Sequence, residues 1–569
     1  MVEEKIWLKS YPEGVPKTLE YPIKIISDTL MESATEFPEK PAILLAGKNF
    51  KTTEITYREL DQKATNFAKN LYQKLNLKKG DRVALYLPNF PEFIIAYYAC
   101  QKLGVIVVPL NMLFSAKELE YHIRDSGARI LITTDVKSSS PSNLEKARIV
   151  KANLDQLEHI IVASVKPYLP KLKKHIGSIL GRIEKLKPSE FYLNDFLKEI
   201  NNIELPFVEI DPKKDIAMIP YTGGTTGTAK GVMLTHWNLT TNFYAAYHWI
   251  IPLFNGLPPK GELKFLAALP LFHLFGNAIC MVFAVFLASE IILVPNPRER
   301  NFTELLELID KYKPNFFPFV PTGYIALLNH PKIHKYDLKS IDFCLSAAAP
   351  LSVEVMRKFE EISGTTILEG WGLTETSPIA SANTPIKRKI GSVGIPIPDT
   401  EVAIFDPEDK EKRLSFDQIG ELGIKGPQIM KGYWNKKEET DHVMNSQGFF
   451  LTGDIGRIDE EGFIYIEDRK KDMIIASGYK IFPREIEEFF FQHPSVENCA
   501  VIGISDEYRG EKPKCFVVLK DGSKTTEEEL MEYAKEGLSR YKVPSKIEIR
   551  KILPTSIVGK VLRRKLREE

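Results

Sequence analysis

Short apolar runs that alternate with helix-like segments dominate the first two thirds of the chain. Between residues 82 and 134, the runs RVALYLPN, VIVVPL and RILITT are separated by two segments with helical apolar spacing. Asn89 and Pro91 suit the start of the first of these helices, and Gly104 suits its end. This strand-helix-strand-helix-strand order predicts a parallel, doubly wound sheet.

The alternation resumes near residue 215 and continues to about residue 372. The apolar runs that we predict as further strands are DIAMIP, FLAALP, EIILVP, NFFPFVP, DFCLSAA and TTILEGWG. GVMLTH (231–236) also has strand character, and NFTELLELIDKYKP (301–314) is predicted to be a helix that begins with an Asn301 capping box. These patterns extend the parallel-sheet prediction over most of the chain.

The pattern of apolar and polar residues changes near the C-terminus. Residues 448–469 predict short strands joined by a turn at Gly462. A smaller unit follows, with strands near 496–504 and 513–519 and helices at 483–492 and 527–539. We therefore expect an α/β fold. A large N-terminal domain, residues 1–467, has doubly wound parallel sheets and a small barrel-like β part, and residues 468–569 form a small α+β C-terminal domain.

Residues 137–206 are rich in lysine and interrupt the alternating pattern, so we interpret them as a basic insertion. Within them, residues 166–188 carry one apolar stripe at helical spacing: Leu172, Ile176, Ile179, Ile183 and Leu186. The surrounding lysines are typical of a helix on an anionic membrane surface. The alternative is an ordinary surface helix that packs on its own domain.

Composition and charge exclude several classes of protein. The 569 residues contain 76 Lys plus Arg and 75 Asp plus Glu, and this balance gives no reason to expect a nucleic-acid partner. Five scattered cysteines without metal-ligand spacing favour a reduced, cytoplasmic protein. The longest apolar run, residues 278–289, is shorter than the roughly 20 residues that span a bilayer, so it predicts a buried helix.

The segment YTGGTTGTAKGVMLTH (221–236) has the composition of a phosphate-binding loop. Glycines let backbone N–H groups approach an anion, threonines add hydroxyl groups, and a lysine adds charge. The residues that we assign to this loop are Thr222, Gly223, Gly224, Thr225, Thr226, Gly227 and Lys230. The loop does not match the Walker pattern and precedes a strand, which argues against a P-loop kinase. Composition by itself leaves a flexible surface turn as the alternative.

Further motifs follow in a fixed order: PLFHLFG (270–276), SAAAPLS (346–352), GWGLTETSP (370–378), TGD (452–454), DRKKDMIIASGYKIFPREIEE (468–488) and GK (559–560). With this set the chain resembles the adenylate-forming acyl-CoA synthetases over nearly its whole length, and the long-chain-fatty-acid–CoA ligases look nearest. The resemblance implies two half-reactions. A carboxylate attacks the α-phosphate of ATP and releases pyrophosphate, and the thiol of coenzyme A then displaces AMP from the acyl-adenylate.

The resemblance also implies roles around ATP. The loop would hold the β- and γ-phosphates, and Mg²⁺ would lie between Thr222 and Glu375. Asp454 would accept hydrogen bonds from the ribose hydroxyls, with Arg469 beside it. The residues expected to form the adenine slot are Trp371, stacked on the base, with Ala348 and Ala349 on its other face and Gly370, Gly372 and Thr374 nearby.

Lys560 is the residue implied for the first half-reaction, in which its ammonium would approach the α-phosphate. His273 would border the acyl carboxylate, while a role for His236 is less defined. Since one lysine at the phosphate obstructs coenzyme A, the family rotates a mobile small domain between steps, here about Asp468, and Gly478 would line the pantetheine path. From composition alone, the junction EDRKKD (467–472) reads as a solvated turn instead.

The acid is not determined by these motifs. Tyr324 stands where some long-chain ligases have a tryptophan gate in the acyl tunnel, so medium-chain and aryl acids remain alternatives. Ala229, Ala347 and Val558 replace residues that are usual in the family. A carrier protein or oxygen as acyl acceptor also stays open, as do peripheral membrane contact through 166–188 and the oligomeric state, including a homodimer.

Overall fold

The computed structural model describes residues 5–48, 50–137, 139–170, 183–200, 204–223, 229–250, 257–295, 302–476, 479–506, 510–556 and 560–568. In chain order, the strands are β1 Pro41–Leu45, β2 Thr53–Thr56, β3 Arg82–Leu85, β4 Ile106–Pro109, β5 Ile130–Thr134, β6 His159–Ala163, β7 Glu190–Tyr192, β8 Ile216–Met218, β9 Tyr221–Gly223, β10 Ala229–Thr235, β11 Lys264–Ala267, β12 Glu290–Leu293, β13 Phe316–Phe319, β14 Phe343–Ser346, β15 Thr366–Trp371, β16 Ser381–Ala382, β17 Ile395–Pro396, β18 Glu401–Asp406, β19 Asp409–Leu414, β20 Gly420–Lys425, β21 Gly432–Tyr433, β22 Phe450–Ile458, β23 Ile464–Arg469, β24 Ile474–Ala476, β25 Tyr479–Ile481, β26 Val496–Asp506, β27 Gly510–Leu519 and β28 Lys546–Arg550.

The helices lie between these strands in the order that the apolar periodicity predicts. They are α1 Ile26–Glu36, α2 Tyr57–Leu75, α3 Pro91–Lys102, α4 Ala116–Ser126, α5 Asn143–Asn153, α6 Leu193–Phe196, α7 His236–Ile250, α8 Ala284–Phe286, α9 Phe302–Tyr312, α10 Pro321–Leu328, α11 Val353–Ser363, α12 Lys437–Val443, α13 Pro483–Phe491, α14 Glu527–Gly537 and α15 Arg563–Arg567. A π-helical stretch, Gly276–Phe283, leads into α8, and both are buried, as predicted for the longest apolar run. Asn301, the predicted cap of α9, lies outside the described residues.

Two large sheets form the N-terminal part. One has the order β17-β16-β15-β14-β13-β11-β12-β1-β2, and the other has the order β21-β10-β8-β4-β3-β5-β6-β7, with β9 paired to β10. Their central strands are parallel, and their edges carry antiparallel additions. Parallel central strands joined by helices confirm the predicted doubly wound architecture.

The prediction that residues 137–206 interrupt the sheet is wrong. This segment contains α5, β6 and β7, and the two strands extend the parallel sheet beyond β5. The apolar run HIIVA forms β6 and is almost entirely buried. The sequence did not predict this strand, because it is short and the lysines of the neighbouring helix and turns dominate the composition of the segment.

The predicted amphipathic helix over 166–188 is also wrong where the structure describes it. Lys166–Tyr168 forms one 3₁₀ turn. Ile183 forms an antiparallel bridge with Val136, and the following residues up to 187 have no helical conformation. Leu172, Ile176 and Ile179 lie outside the described residues. The apolar side chains at the end of the stripe therefore pack on the protein's own sheet.

Asn89 does not cap the helix that follows β3. The N-cap position of α3 belongs to Phe90, because Pro91 occupies the first helical position. The Asn89 amide instead donates to the Leu269 carbonyl at 2.8 Å and accepts from the Leu271 N–H at 2.9 Å. Asn89 thus joins the end of β3 to the segment that carries His273.

The C-terminal part contains antiparallel sheets. The sheet β19-β18-β20-β22-β23 corresponds to the predicted small β part, and its β22–β23 hairpin turns at Gly462, where φ is +89°. The sheet β25-β24-β27-β26, with β28 beside β27, packs on α13 and α14 around its own apolar core. A large domain with parallel sheets and a smaller C-terminal domain are therefore confirmed, while the boundary at residue 467 stays a prediction.

The sequence expectations about cysteines and membrane spans can be compared with the structure. All five cysteines are free and buried. Within the described ranges, no helix is both long and apolar enough to cross a membrane.

Candidate active site

The loop predicted to bind phosphate connects two paired strands. Thr222 in β9 lies opposite Lys230 in β10, and Gly223 lies opposite Ala229. Gly224, Thr225, Thr226 and Gly227 lie outside the described residues. The hairpin therefore places the predicted magnesium ligand and the loop lysine side by side in its register.

Helix α4 supports both strands of this hairpin. The Tyr121 hydroxyl donates to the Ala229 carbonyl at 2.7 Å, and the Tyr221 hydroxyl donates to the Asp125 carboxylate at 2.6 Å. Neither Tyr121 nor Asp125 was singled out from the sequence, because nothing local to α4 connects it to a loop about 100 residues later. The hydrogen bonds restrict the base of the phosphate loop.

Lys230 is buried and has a counter-ion that the sequence did not indicate. Its ammonium pairs with the Glu439 carboxylate of α12, and this contact lowers the pKa of Glu439. The same ammonium lies 5.2 Å from the centre of the Tyr433 ring. The Tyr433 hydroxyl donates to Glu375 Oε1 at 2.8 Å. One chain of contacts thus links the loop hairpin to Glu375.

Glu375 is suited to a hard cation. It is buried, and burial raises the pKa of its carboxyl group despite the hydrogen bond from Tyr433. A divalent cation beside this carboxylate would offset that desolvation. Mg²⁺ prefers oxygen ligands and is often held by one or two protein groups together with substrate phosphates. The Glu375 carboxylate and the Thr222 hydroxyl therefore fit such a site.

The predicted adenine and ribose residues are brought together. The Trp371 indole N–H donates to Asp454 Oδ2 at 2.8 Å, and Arg469 Nε lies 2.6 Å from Asp454 Oδ1. Asp454 and Arg469 are also opposite each other in the β22–β23 ladder. A carboxylate has about four acceptor positions, so Asp454 can still accept from ribose hydroxyls. Trp371 is only 8% exposed, which leaves little of its ring accessible in this structure.

The two segments predicted to form the adenine slot each contain a residue with restricted backbone geometry. Ala348 has a φ of +73°, a left-handed conformation that costs a non-glycine residue free energy. A Cβ atom at Gly372 would lie 1.7 Å from the Pro378 carbonyl oxygen, whereas one at Gly370 would lie no closer than 3.4 Å to any neighbour. Thr374 begins a 3₁₀ turn that carries Glu375. Ala349 follows Ala348 in the chain. The residues predicted for the adenine slot therefore belong to two segments, one around Ala348 and one around Gly372.

Lys560 lies among charged groups of both domains. The Lys560 side chain is exposed, yet the surrounding protein desolvates its ammonium. Desolvation first, and then the positive charges of Arg469 and Arg563, lower the pKa of Lys560 to about 8. The negative charge of Asp454 acts in the opposite direction. The Lys560 ammonium therefore lies within electrostatic range of the predicted nucleotide residues Asp454 and Arg469.

His273 is a neutral side chain near Lys560. Desolvation first, and then the charge of Lys560, lower the pKa of His273 to about 4. Its Nδ1 accepts the Phe275 N–H at 3.3 Å, so the neutral ring carries its proton on Nε2 and can donate a hydrogen bond there. His236 differs because it is fully buried, and its Nδ1 accepts the N–H of Ile26 at 3.2 Å. This contact gives His236 a structural role.

The junction EDRKKD is a solvated turn only in part, since residues 470–472 form a turn in which Lys470 and Lys471 are exposed. Asp468 and Asp472 are 6% and 7% exposed. Asp468 is the penultimate residue of β23, and its carboxylate accepts the N–H of Arg484 at 3.1 Å. The composition-based alternative therefore holds for the two lysines but not for the acids, because Arg563 and Arg567, distant in sequence, neutralise Asp468 and Asp472. A hinge at Asp468 stays a prediction, and Gly478 lies outside the described residues.

Tyr324 is a core residue in this structure. It is fully buried, and its hydroxyl donates to the Phe317 carbonyl at 3.1 Å. Edge-to-face contacts with Phe317, Phe319 and Phe359 surround its ring. Opening a tunnel at this position would require these contacts to break, so the role of Tyr324 as an acyl-tunnel residue stays a prediction.

Comparisons with known proteins identify the family of the chain. The family model of the AMP-binding enzyme matches residues 30–434, and the model of the AMP-binding enzyme C-terminal domain matches residues 485–560. A long-chain-fatty-acid–CoA ligase of Bacillus subtilis (strain 168) is 42% identical, and the alignment covers 100% of this chain and 99% of that protein.

Solved structures show the same fold. The anthranilate CoA ligase AuaEII in complex with anthranoyl-AMP has a TM-score of 0.80 at 27% identity, covering 96% of this chain and 97% of that chain. O-succinylbenzoate coenzyme A synthetase from Bacillus subtilis, in complex with ATP and magnesium ion, has a TM-score of 0.75 at 27% identity, covering 95% and 98%.

Proposed function

Because the chain belongs to the AMP-binding enzyme family, we propose that it activates long-chain fatty acids with ATP and transfers them to coenzyme A. It is an acid–thiol ligase of the AMP-forming type, with ATP, Mg²⁺ and coenzyme A as its reaction partners. The observation that supports the assignment of its site is that the charges of Arg469 and Asp454 act on Lys560, whose own charge acts on His273.

ATP binds across the two domains in this proposal. The phosphate loop and Lys230 hold the β- and γ-phosphates, and Asp454 accepts hydrogen bonds from the ribose. Trp371 and Arg469 hold the Asp454 carboxylate from two sides, so its orientation is set before ATP arrives. Thr222 and Glu375 would hold Mg²⁺, which supplies charge neutralisation at the phosphates when it is bound.

Lys560 acts in the adenylation step. The fatty-acid carboxylate attacks the α-phosphorus, an oxygen–phosphorus bond forms, and the bond to pyrophosphate breaks. The Lys560 ammonium stabilises the negative charge that builds on the α-phosphate oxygens, and the neutral His273 donates from Nε2 to the acyl carboxylate or phosphate oxygen. Near neutral pH, Lys560 is mostly protonated because its pKa is about 8, and His273 is neutral because its pKa is about 4.

Thioester formation follows with the small domain in another orientation. The coenzyme A thiol attacks the acyl carbon, and AMP leaves. We propose that residues 468–569 rotate about Asp468 between the steps, since Lys560 would obstruct the thiol in its present place. A structure with coenzyme A and a stable acyl-adenylate analogue should show this rotation. Bound coenzyme A with an unrotated domain would contradict it.

The preference for a long-chain acid is supported by the 42% identical Bacillus subtilis ligase. The solved relatives at 27% identity are named for aryl acids, which keeps an aryl substrate as the second candidate. An apolar tunnel gains about 0.8 kcal/mol for each buried CH₂ group, so chain length should be graded rather than absolute. Peripheral membrane contact through residues 166–188 and a homodimer are further parts of the proposal.

A panel of acids tests the proposed function. The purified protein is incubated with ATP, Mg²⁺, coenzyme A and one of octanoate, palmitate, oleate, anthranilate or benzoate, and AMP and free thiol are measured. We expect AMP formation and thiol loss in equal amounts, fastest with palmitate or oleate. A higher kcat/KM for an aryl acid would favour the second candidate, and AMP formation without thiol loss would indicate another acceptor.

Gel filtration and flotation with anionic vesicles test the homodimer and the membrane contact.

A further inference from the structure

Arg563 lies three residues after Lys560 and contacts three carboxylates from two other segments. Its Nη2 lies 2.8 and 2.7 Å from the two oxygens of Glu487, and its Nη1 lies 3.2 Å from Asp468 and 3.5 Å from Asp472. The side chains of these acids are 3–13% exposed, and that of Arg563 is 20% exposed. A guanidinium offers five donors in a rigid plane, so it can serve several carboxylates at once.

The segment between Lys560 and Arg563 is held by short backbone contacts. Val561 forms an antiparallel bridge with Thr555, and the Ser556 N–H donates to the Lys560 carbonyl at 2.7 Å. The Leu562 N–H donates to the Pro554 carbonyl at 2.8 Å. The backbone of Lys560 therefore cannot move far unless Arg563 moves with it.

The carboxylates around Arg563 are connected to the nucleotide site. Asp468 is followed by Arg469, whose guanidinium pairs with the predicted ribose ligand Asp454. Asp472 lies three residues beyond Arg469, and Glu487 comes from α13 of the small domain. Arg563 thus bridges the lysine segment to the strand that also supports Asp454.

We propose that Arg563 is a positioning residue for adenylation, because its contacts with Asp468, Asp472 and Glu487 hold the Lys560 segment at the nucleotide site. This inference rests on the role of Lys560 proposed above. Arg563 itself does not touch the reacting atoms, and its effect passes through the backbone of the Lys560 hairpin. The first half-reaction depends on this placement, whereas thioester formation requires Lys560 to be elsewhere.

The neighbouring arginine provides a matched control. Arg564 has a side chain that is 73% exposed and an ion pair with Glu568, the residue that follows the helix. Replacing either residue with Met removes one positive charge from the same helix at adjacent positions. A general effect of charge or helix stability would therefore appear in both variants, and a positioning effect would appear only at Arg563.

The test compares the two half-reactions in full-length variants. Adenylation is followed by pyrophosphate–ATP exchange with palmitate, and thioester formation is followed from supplied palmitoyl-adenylate and coenzyme A. We expect Arg563→Met to slow adenylation about 10- to 100-fold, since small displacements of a catalytic group have effects of that size. Thioester formation should stay near the wild-type rate. Arg563→Lys, which keeps the charge but not the planar fork, should restore adenylation in part, and Arg564→Met should behave as wild type.

A milder variant keeps the test decisive if Arg563→Met does not fold. In Glu487→Gln, the amide oxygen can still accept the Val501 N–H that Glu487 accepts at 2.8 Å, but the amide nitrogen cannot accept from Arg563. Adenylation by this variant should fall with thioester formation spared. An equal loss of both half-reactions, or no loss in either, would overturn the positioning role.

Lys560→Ala distinguishes a failure of the positioning role of Arg563 from a failure of the proposed role of Lys560. If it loses adenylation while both Arg563→Met and Glu487→Gln retain it, only the role of Arg563 is refuted. If Lys560→Ala itself retains adenylation, the proposed function of Lys560 fails, and the inference about Arg563 fails with it.

Discussion

The indole N–H of Trp371 donates a 2.8 Å hydrogen bond to the carboxylate of Asp454. These residues are 83 positions apart, and the resemblance of the motifs implies an adenine role for one and a ribose role for the other. The bond couples the two roles, because the ring that flanks the base also orients the group that binds the sugar. Arg469 holds the other carboxylate oxygen.

Removal of the indole N–H should therefore weaken recognition of the ribose. We expect Trp371→Phe to raise the KM for ATP about 3- to 10-fold, since hydrogen bonds to charged groups contribute about 1.5–3 kcal/mol and part of this is kept by Arg469. The preference of the enzyme for ATP over 2′-deoxy-ATP should shrink. The measurement is kcat/KM for both nucleotides, and an unchanged preference would separate Trp371 from ribose binding.

Lys560 should matter for one half-reaction only. Lys560→Ala should slow pyrophosphate–ATP exchange roughly 100- to 1000-fold, because an aligned charge at the α-phosphate acts in the transition state. Thioester formation from supplied acyl-adenylate should change little. If both steps fell by the same factor, Lys560 would have a structural role instead.

The pH dependence of adenylation should report the protonation of Lys560. Its pKa of about 8 means that the ammonium is lost as pH rises through that value. We expect kcat/KM for ATP, which reflects the free enzyme, to fall above about pH 8. His273, with a pKa of about 4, stays neutral over this range. The residual activity of Lys560→Arg should lack the decline, because arginine stays protonated.

Glu439 should compete with ATP for Lys230. Glu439→Gln removes the carboxylate that pairs with the loop lysine, so the triphosphate no longer has to displace it. We expect the KM for ATP to fall about 2- to 5-fold, since a partly exposed ion pair is worth less than about 1 kcal/mol. Glu438→Gln, at an exposed position on the same helix, serves as the control. A higher KM in Glu439→Gln would mean that Glu439 supports the loop rather than competing for it.

Gly372 should tolerate no side chain. In Gly372→Ala the Cβ would overlap the Pro378 carbonyl oxygen at 1.7 Å, so the backbone between Trp371 and Glu375 must shift. We expect the free energy of unfolding to fall by about 1–3 kcal/mol and the KM for ATP to rise. Gly370→Ala, whose nearest contact is 3.4 Å, should have a much smaller effect. Thermal unfolding and ATP kinetics of the two variants provide the comparison.

Much of the fold follows from local sequence patterns. The alternation of apolar runs and helices predicted the parallel sheets, and the end of α3 just before Gly104 and the turn at Gly462 agree with the structure. Residues 137–206 were misread, because a short strand such as HIIVA within a lysine-rich segment is a weak signal. Asn89 was misassigned because its partners lie about 180 residues away.

For the candidate site, the sequence by itself determined which chemical groups are present and in what order, since those are properties of motifs a few residues long. The tertiary structure decided their partners. Lys230 pairs with Glu439 across 209 positions, and Arg563 meets Asp468 across 95. Such pairs depend on which segments the packed core brings together, and burial then shifts the pKa values of the paired groups. Local spacing in the sequence therefore predicts neither the pairs nor their pKa values.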